Sequence, residues 1–184
     1  MRCPPALVAC ALAASSAVAC GDVDGGSAQF PGTILYEDPA STFEFRLLEP
    51  PWIPPFMVVV ADVPMTFAVV PPPDATITAD PTVLLSQALY SLQFSTVSGD
   101  PASAMATVKG TIPGTTTTVP TGMVVAGSGS SGVQMAWQEG EGVFHRDAFL
   151  AGTATPTFRL HFTAQKEIAE DAMVGQMISS FRAK

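Results

Sequence analysis

His145 and His161 are the only imidazoles in the chain, and each stands in an alternating run, Val143-Phe144-His145-Arg146-Asp147 and Phe158-Arg159-Leu160-His161-Phe162. Imidazole exchanges protons near neutral pH, so these positions are the first candidates for acid–base chemistry or metal ligation. Zinc takes three or four His, Cys or carboxylate ligands at recognisable spacing, and a cross-strand histidine pair is the most this pattern offers. No G-x-S-x-G elbow marks a nucleophile for a Ser–His–Asp arrangement. His145-Arg146-Asp147 spells the catalytic tripeptide of protein kinases, but no Asn follows at the required spacing and no Gly-rich phosphate loop with a downstream Lys precedes it. Gly127-Ser128-Gly129-Ser130-Ser131-Gly132 satisfies G-x-G-x-x-G. A dinucleotide site needs a helix to open at the third glycine, whereas Val133-Gln134-Met135-Ala136-Trp137 alternates like a strand, so a hairpin loop is expected. No catalytic residue, metal site or cofactor is therefore assigned. Trp52, His145 and His161 remain as candidate surface or ligand positions, with both histidines expected on solvent-facing sites of neighbouring strands. Trp52, among prolines, is expected to cap the sheet or to form an exposed recognition surface.

The three cysteines are Cys3, Cys10 and Cys20, all near the start of the chain. Met1-Arg2 is a short cationic region, residues 6–14 are almost wholly apolar, and Ser15-Ser16-Ala17-Val18-Ala19 supplies the small residues of a signal-peptidase site. The apolar stretch is too short to span a bilayer, which takes about 20 residues. Residues 1–19 therefore read as an export signal. Ala17-Val18-Ala19-Cys20 also resembles a bacterial lipobox with Ala in place of the usual first Leu, in which the cysteine sulfur is acylated before cleavage. Cys10 has a similar local pattern but no hydrophobic region before it. The polar, Gly-rich stretch after Cys20 suits a flexible tether over residues 20–32. The expectation is a lipoprotein held to the bilayer through acylated Cys20 and facing the periplasm, with the outer membrane favoured. The same residues also make an ordinary cleavage site, which would release a soluble protein.

The formal charge is −8, from 8 basic and 16 acidic residues, and losing Arg2 with the leader takes it to −9. So acidic a chain repels phosphate backbones, which disfavours nucleic acid as a partner. Hydrophobic content of 47% against 13% charged leaves enough apolar mass after the leader for a buried core. Residues 33–184 contain no cysteine, so that core must hold without disulfides.

The elements that position these side chains follow from periodicity. Phe43, Phe45 and Leu47 alternate with Glu44 and Arg46 as a half-buried strand, and residues 50–55 (PPWIPP) read as a rigid turn. Residues 56–61 are wholly apolar and suit a central strand; Met65, Phe67 and Val69 alternate again. Asp80-Pro81 starts a helix whose apolar face is Leu84, Leu85, Ala88, Leu89 and Leu92. A short helical turn is expected after Asp100-Pro101, and the Thr-rich residues 111–122 read as an exposed loop. Strands are expected over 123–126, 133–137, 143–150 and 157–163, followed by an amphipathic helix over 167–181 led by Glu167, Glu170 and Asp171. Strands, a helix, an antiparallel meander and a last helix make an α+β domain over 33–184, a largely antiparallel sheet flanked by helices.

The opening strand, Tyr36 then Phe43-Glu44-Phe45-Arg46-Leu47 with Pro50-Pro51-Trp52 after it, resembles that of the PsbP/DcrB-like superfamily. So does the ending, Thr157-Phe158-Arg159-Leu160-His161-Phe162 through Met177-Ile178-Ser179-Ser180-Phe181-Arg182. The two ends carry the resemblance, and the middle matches in element order. It implies an α/β/α sandwich, often found on exported bacterial lipoproteins that serve as binding or assembly modules; the motifs are structural rather than catalytic. The function expected is a membrane-anchored, non-enzymatic binding or assembly domain for an envelope protein or other ligand. The alternatives are a soluble exported hydrolase or metal-dependent enzyme using His145 or His161, and a structural envelope spacer.

Overall fold

The computed structural model describes residues 33–38, 42–48, 52–60, 63–73, 80–113, 118–127, 129–153 and 156–184. The expected export signal over residues 1–19, Cys20 with the expected tether up to residue 32, and part of the Thr-rich stretch lie outside them. In chain order the described elements are β1 (Thr33–Glu37), β2 (Phe43–Leu48), β3 (Ile53–Val60), β4 (Val63–Val70), α1 (Pro81–Gln87), β5 (Tyr90–Val97), α2 (Pro101–Thr111), β6 (Thr118–Val125), β7 (Ser131–Glu139), β8 (Val143–Ala151), β9 (Thr157–Ala164), α3 (Ala172–Ser180) and β10 (Arg182–Ala183).

Seven strands form one antiparallel sheet in the order β3-β4-β5-β9-β8-β7-β6, and β1-β2-β10 form a smaller one. The alternation in β9 sorts the large sheet into two faces. Phe158, Leu160 and Phe162 point to one side with Leu92, Phe94, Ala148 and Leu150, and meet Phe43, Phe45 and Leu47 of β2 with Val174, Met177 and Ile178 of α3. Burying one such phenylalanine contributes about 1.5–3 kcal/mol, so this side carries most of the stability. On the other side α2 packs Ala104 against Met135 and Phe149. Helices thus lie on both faces of a mostly antiparallel sheet, the α+β class expected from periodicity. No helix among the described residues is long and apolar enough to cross a membrane.

Several elements depart from the expected boundaries. The apolar strand β3 is an edge strand rather than a central one, with Met57 67% and Val59 64% exposed. It also contains Pro54 and Pro55, where a turn is expected. An edge strand leaves alternate N–H groups unpaired, and the register against β4 shifts between Ile53 and Phe56, so the two prolines are tolerated there. The first helix ends at Gln87: the Leu89 N–H donates to the Val70 carbonyl at 2.8 Å and aligns β5 with β4. In β5 the period of two (Leu92, Phe94 inward; Gln93 outward) overrides the helical spacing of Leu85, Leu89 and Leu92. After Asp100-Pro101 stands an 11-residue helix, α2, instead of a single turn; Asp100 accepts from the N–H groups of Ala102 and Ser103.

Strand β6 begins at Thr118, inside the segment read as a loop, because β-branched Thr and Val suit a pleated edge. The last helix starts at Ala172, not near Glu167. Asp171 is its cap, accepting from the N–H groups of Met173 and Val174, and Ile168 is buried in the approach to it. Ser180 ties the end of α3 to β2 by accepting the Arg46 N–H at 2.9 Å, after which β10 pairs with β2. No sequence signal announces β10; two residues are too few for a periodicity.

Candidate functional site

The meander β5-β9-β8-β7 places a polar cluster on the sheet face that α2 covers. Register sets it: His161 stands opposite both Gln93 and Asp147, Thr163 opposite His145, and His145 opposite Trp137. With side chains alternating along each strand, these residues share one face, and Arg146 is turned to the other. The kinase-like tripeptide is therefore split across the sheet. Arg146 donates from Nε and Nη2 to Gln134 Oε1, and from Nη1 to the carbonyls of Ile168 and Asp171, pinning the approach to α3.

Asp147 is fully buried and has both oxygens filled. Its Oδ1 accepts Arg159 Nε at 2.6 Å and His161 Nδ1 at 2.8 Å; its Oδ2 accepts Trp137 Nε1 at 2.8 Å. Burial by itself would raise the Asp147 carboxyl, but the hydrogen bond and charge of His161, with those of Arg159, outweigh it and hold the group well below the usual carboxylate range. A carboxylate can only accept, so His161 Nδ1 carries a proton. The 3.3 Å contact between Arg159 Nη2 and the same Nδ1 is then two donors side by side, held by their shared acceptor.

The remaining nitrogen, His161 Nε2, lies 3.2 Å from Thr163 Oγ1, which lies 3.1 Å from His145 Nδ1. The rings stack: Trp137 on His145 at 3.7 Å and 11°, and His145 against His161 at 5.2 Å and 14°. Burial pushes the His145 imidazole down to about 4; His161 adds to this, Asp147 opposes it and Arg159 adds again. Neutral His145 leaves its buried Nε2 without a hydrogen-bond partner. The 3.5 Å approach of Glu139 Oε2 becomes an ion pair only when the ring is protonated.

Beside the cluster opens a cleft of about 230 Å³, between the sheet and the C-terminal end of α2. Gln93, Trp137, Arg159 and His161 form its sheet side, and Val108, Thr111, Ile112 and Pro113 its helix side, with Glu139 also on its lining.

The two histidines stand on neighbouring strands as expected, but neither is solvent-facing: the His161 side chain is 16% exposed at the cleft, and His145 is 6% exposed. Trp137 and the strand register cover it. Of the two readings of Trp52, the interior one holds and the exposed recognition surface does not: it is 5% exposed in the main core, 6.2 Å from Tyr90, and its buried indole N–H has no partner among the described residues. No group of three or more His, Cys, Asp or Glu fit to hold a metal occurs among the described residues. Stacked imidazoles direct their lone pairs along parallel planes, which opposes convergence on one ion. The glycine-rich motif is the β6–β7 turn: the Gly129 N–H donates to the Ala126 carbonyl at φ +78°, and a Cβ on Gly132 would collide with the Phe149 carbonyl. Asp147, Arg159, Thr163 and Gln93 escaped the sequence reading. The available signal was two alternating runs, His145/Asp147 and Arg159/His161/Thr163, whose polar positions share one parity.

No protein-family model matches the chain, and no curated protein matches it. Among solved structures, the chain is similar to the Saccharomyces cerevisiae Ran-binding protein Mog1p, with a TM-score of 0.46 and 11% identity over 82% of this chain and 95% of that one.

Proposed function

We propose that this chain is an exported lipoprotein, anchored through Cys20, whose α+β domain is a non-enzymatic binding or assembly module of the cell envelope, facing the periplasm with the outer membrane favoured. The cleft beside Arg159 and His161 is its recognition surface. The observation that carries this reading is the way the cluster holds Arg159 at the cleft: fully buried Asp147 accepts from Arg159 Nε, His161 Nδ1 and Trp137 Nε1, which fixes the guanidinium and the imidazole as a rigid polar floor. Facing the cleft are the Arg159 guanidinium, the Gln93 amide, the Thr111 hydroxyl and the Glu139 carboxylate among apolar side chains, groups suited to holding a polar ligand. The anchor is supported by Ala17-Val18-Ala19-Cys20 and the polar Gly21-Asp22-Val23-Asp24-Gly25-Gly26 after it.

Cys20→Ser is expected to move the protein from the membrane to the soluble fraction; unchanged membrane association sinks the anchor. Affinity capture from detergent-solubilised membranes is expected to return a reproducible partner, lost in Arg159→Ala.

One observation favours a second reading. Asp147, His161 and Thr163 stand in the order orienter, base and hydroxyl, at 2.8 and 3.2 Å. As a hydrolase the chain would use the Thr163 hydroxyl as nucleophile. A hydrolytic activity abolished by both His161→Ala and Thr163→Val would overturn the binding reading; the contact of the same hydroxyl with His145 counts against it.

A further inference from the structure

A second cavity, of about 330 Å³, opens between Asp38, Thr42 and Phe43 on one side and strands β4, β5 and β9 on the other. Register places Thr66 opposite Phe94 and Thr96 opposite Phe158, and both phenylalanines belong to the main core. The cavity therefore lies on the main-core face of the large sheet, away from Gln93 and Arg159. Among the described residues Asp38 is the only charged one on its lining. Asp38 Oδ2 accepts the Thr42 N–H at 3.4 Å and the Thr42 hydroxyl at 2.8 Å, donors that carry no charge of their own. The charge is felt inside: burial first, and then Asp38, push the Tyr36 hydroxyl above its ordinary value, against a hydrogen bond with Thr66. A formal charge of −8 on the whole chain adds to the pull on cations.

The aromatic floor selects the kind of cation. A quaternary ammonium needs open ring faces. Phe43 stacks on Phe94 at 5.4 Å and on Phe181 at 5.6 Å, and Phe94 stacks on Tyr36 at 6.1 Å, so the faces are taken. Ring edges are the positive part of the quadrupole and suit an alkyl chain better than a charge. The charged head is left to oxygen. The Asp38 carboxylate and the hydroxyls of Thr42, Thr66 and Thr96 are acceptors for the three N–H bonds of a primary ammonium. Beyond Thr66 the apolar surface continues, because Met57 stands directly opposite it on β3 and is 67% exposed. The volume lies at the low end of the roughly 300–1,000 Å³ usual for ligand pockets, so the chain is short.

We propose that this cavity binds a short-chain primary alkylammonium, its head on Asp38 and the neighbouring hydroxyls and its chain along the phenylalanine edges towards Met57. The site goes beyond the envelope-partner reading and lies on the other sheet face, so the two stand or fall separately. The test is calorimetric titration of the full chain in detergent, near neutral pH, with n-pentylammonium, 1-pentanol and n-pentyltrimethylammonium. Saturable pentylammonium binding is expected, at least about tenfold tighter than either control. Asp38→Asn keeps a carbonyl oxygen for Thr42 but removes the charge, and should weaken binding about tenfold or more. Thr96→Trp fills the cavity from an exposed position, leaves Asp38 in place and should abolish binding. Absence of saturable pentylammonium binding, equal binding of either control, or binding undiminished in either variant overturns the inference.

Discussion

Asp147 is the residue on which the cluster depends. Three donors converge on a carboxylate with no exposure, and removing it leaves the Arg159 charge, a histidine N–H and an indole N–H facing an apolar gap. Breaking a buried charge pair from one side costs about 3–5 kcal/mol, so Asp147→Ala is expected to lower unfolding free energy by that order in denaturant melts. A loss under about 1 kcal/mol would mean that water reaches the cluster. The pH dependence has a definite sign. His145 titrates at about 4 in the folded chain against 6.5 for the free side chain. Between those values the unfolded chain binds a proton that the folded chain refuses. The contribution is thus complete above pH 6.5 and is lost as pH falls towards 4, on the order of 3 kcal/mol. Depression of the Asp147 carboxyl acts in the same sense at lower pH. His145→Phe keeps a ring against Trp137 and removes the titration, so its stability curve should be flatter from pH 6.5 to 4; an unchanged slope would assign the acid sensitivity elsewhere.

Among the elements, α2, β7 and β9 decide whether the cleft exists, since they carry its helix wall and most of its sheet side. Two glycines separate backbone necessity from local propensity. Gly132 sits so close to the Phe149 carbonyl that any Cβ displaces β7 from β8. Gly132→Ala is expected to cost about 1–3 kcal/mol and to loosen amide-exchange protection on both strands. Gly110 is exposed on α2, and a methyl group there would meet nothing within 4 Å. Gly110→Ala should stabilise by about 0.5–1 kcal/mol, read as a raised melting midpoint. Much of this was readable at the element level. Asp100-Pro101 carries the same cap-and-proline signal as Asp80-Pro81, and α2 follows from it. Its small, mixed residues, Ala102, Ser103, Ala104 and Ala106, show no strong apolar stripe, and this hid its length. The helix opened by Asp80-Pro81 forms but ends at Gln87, because Leu92 joins Phe94 in a period-two set that its spacing from Leu85 and Leu89 disguises, and only pairing with β4 and β9 chooses the strand.

For the whole molecule, the two faces of the large sheet divide the labour. One meets β2 and α3 in a continuous aromatic and aliphatic core, where Phe43 lies 5.4 Å from Phe94, 5.5 Å from Phe158 and 5.6 Å from Phe181. The other carries the ion cluster and cleft. Phe162, fully buried at the centre of the first face, tests the division. Phe162→Ala is expected to cost about 3–5 kcal/mol in denaturant unfolding. A much smaller loss would show that the core does not depend on this layer. By itself, the sequence determined the α+β class, the alternation of β9 and the disulfide-free core, because side-chain period and residue type are local properties of the chain. It also confined every cysteine to the first 20 residues, where the proposed anchor, Cys20, stands. The tertiary structure alone decided that His161 meets Asp147 and that Trp137 covers His145. Those contacts depend on which residues stand opposite across strands, and a shift of one residue in register would send the same side chains to the opposite face.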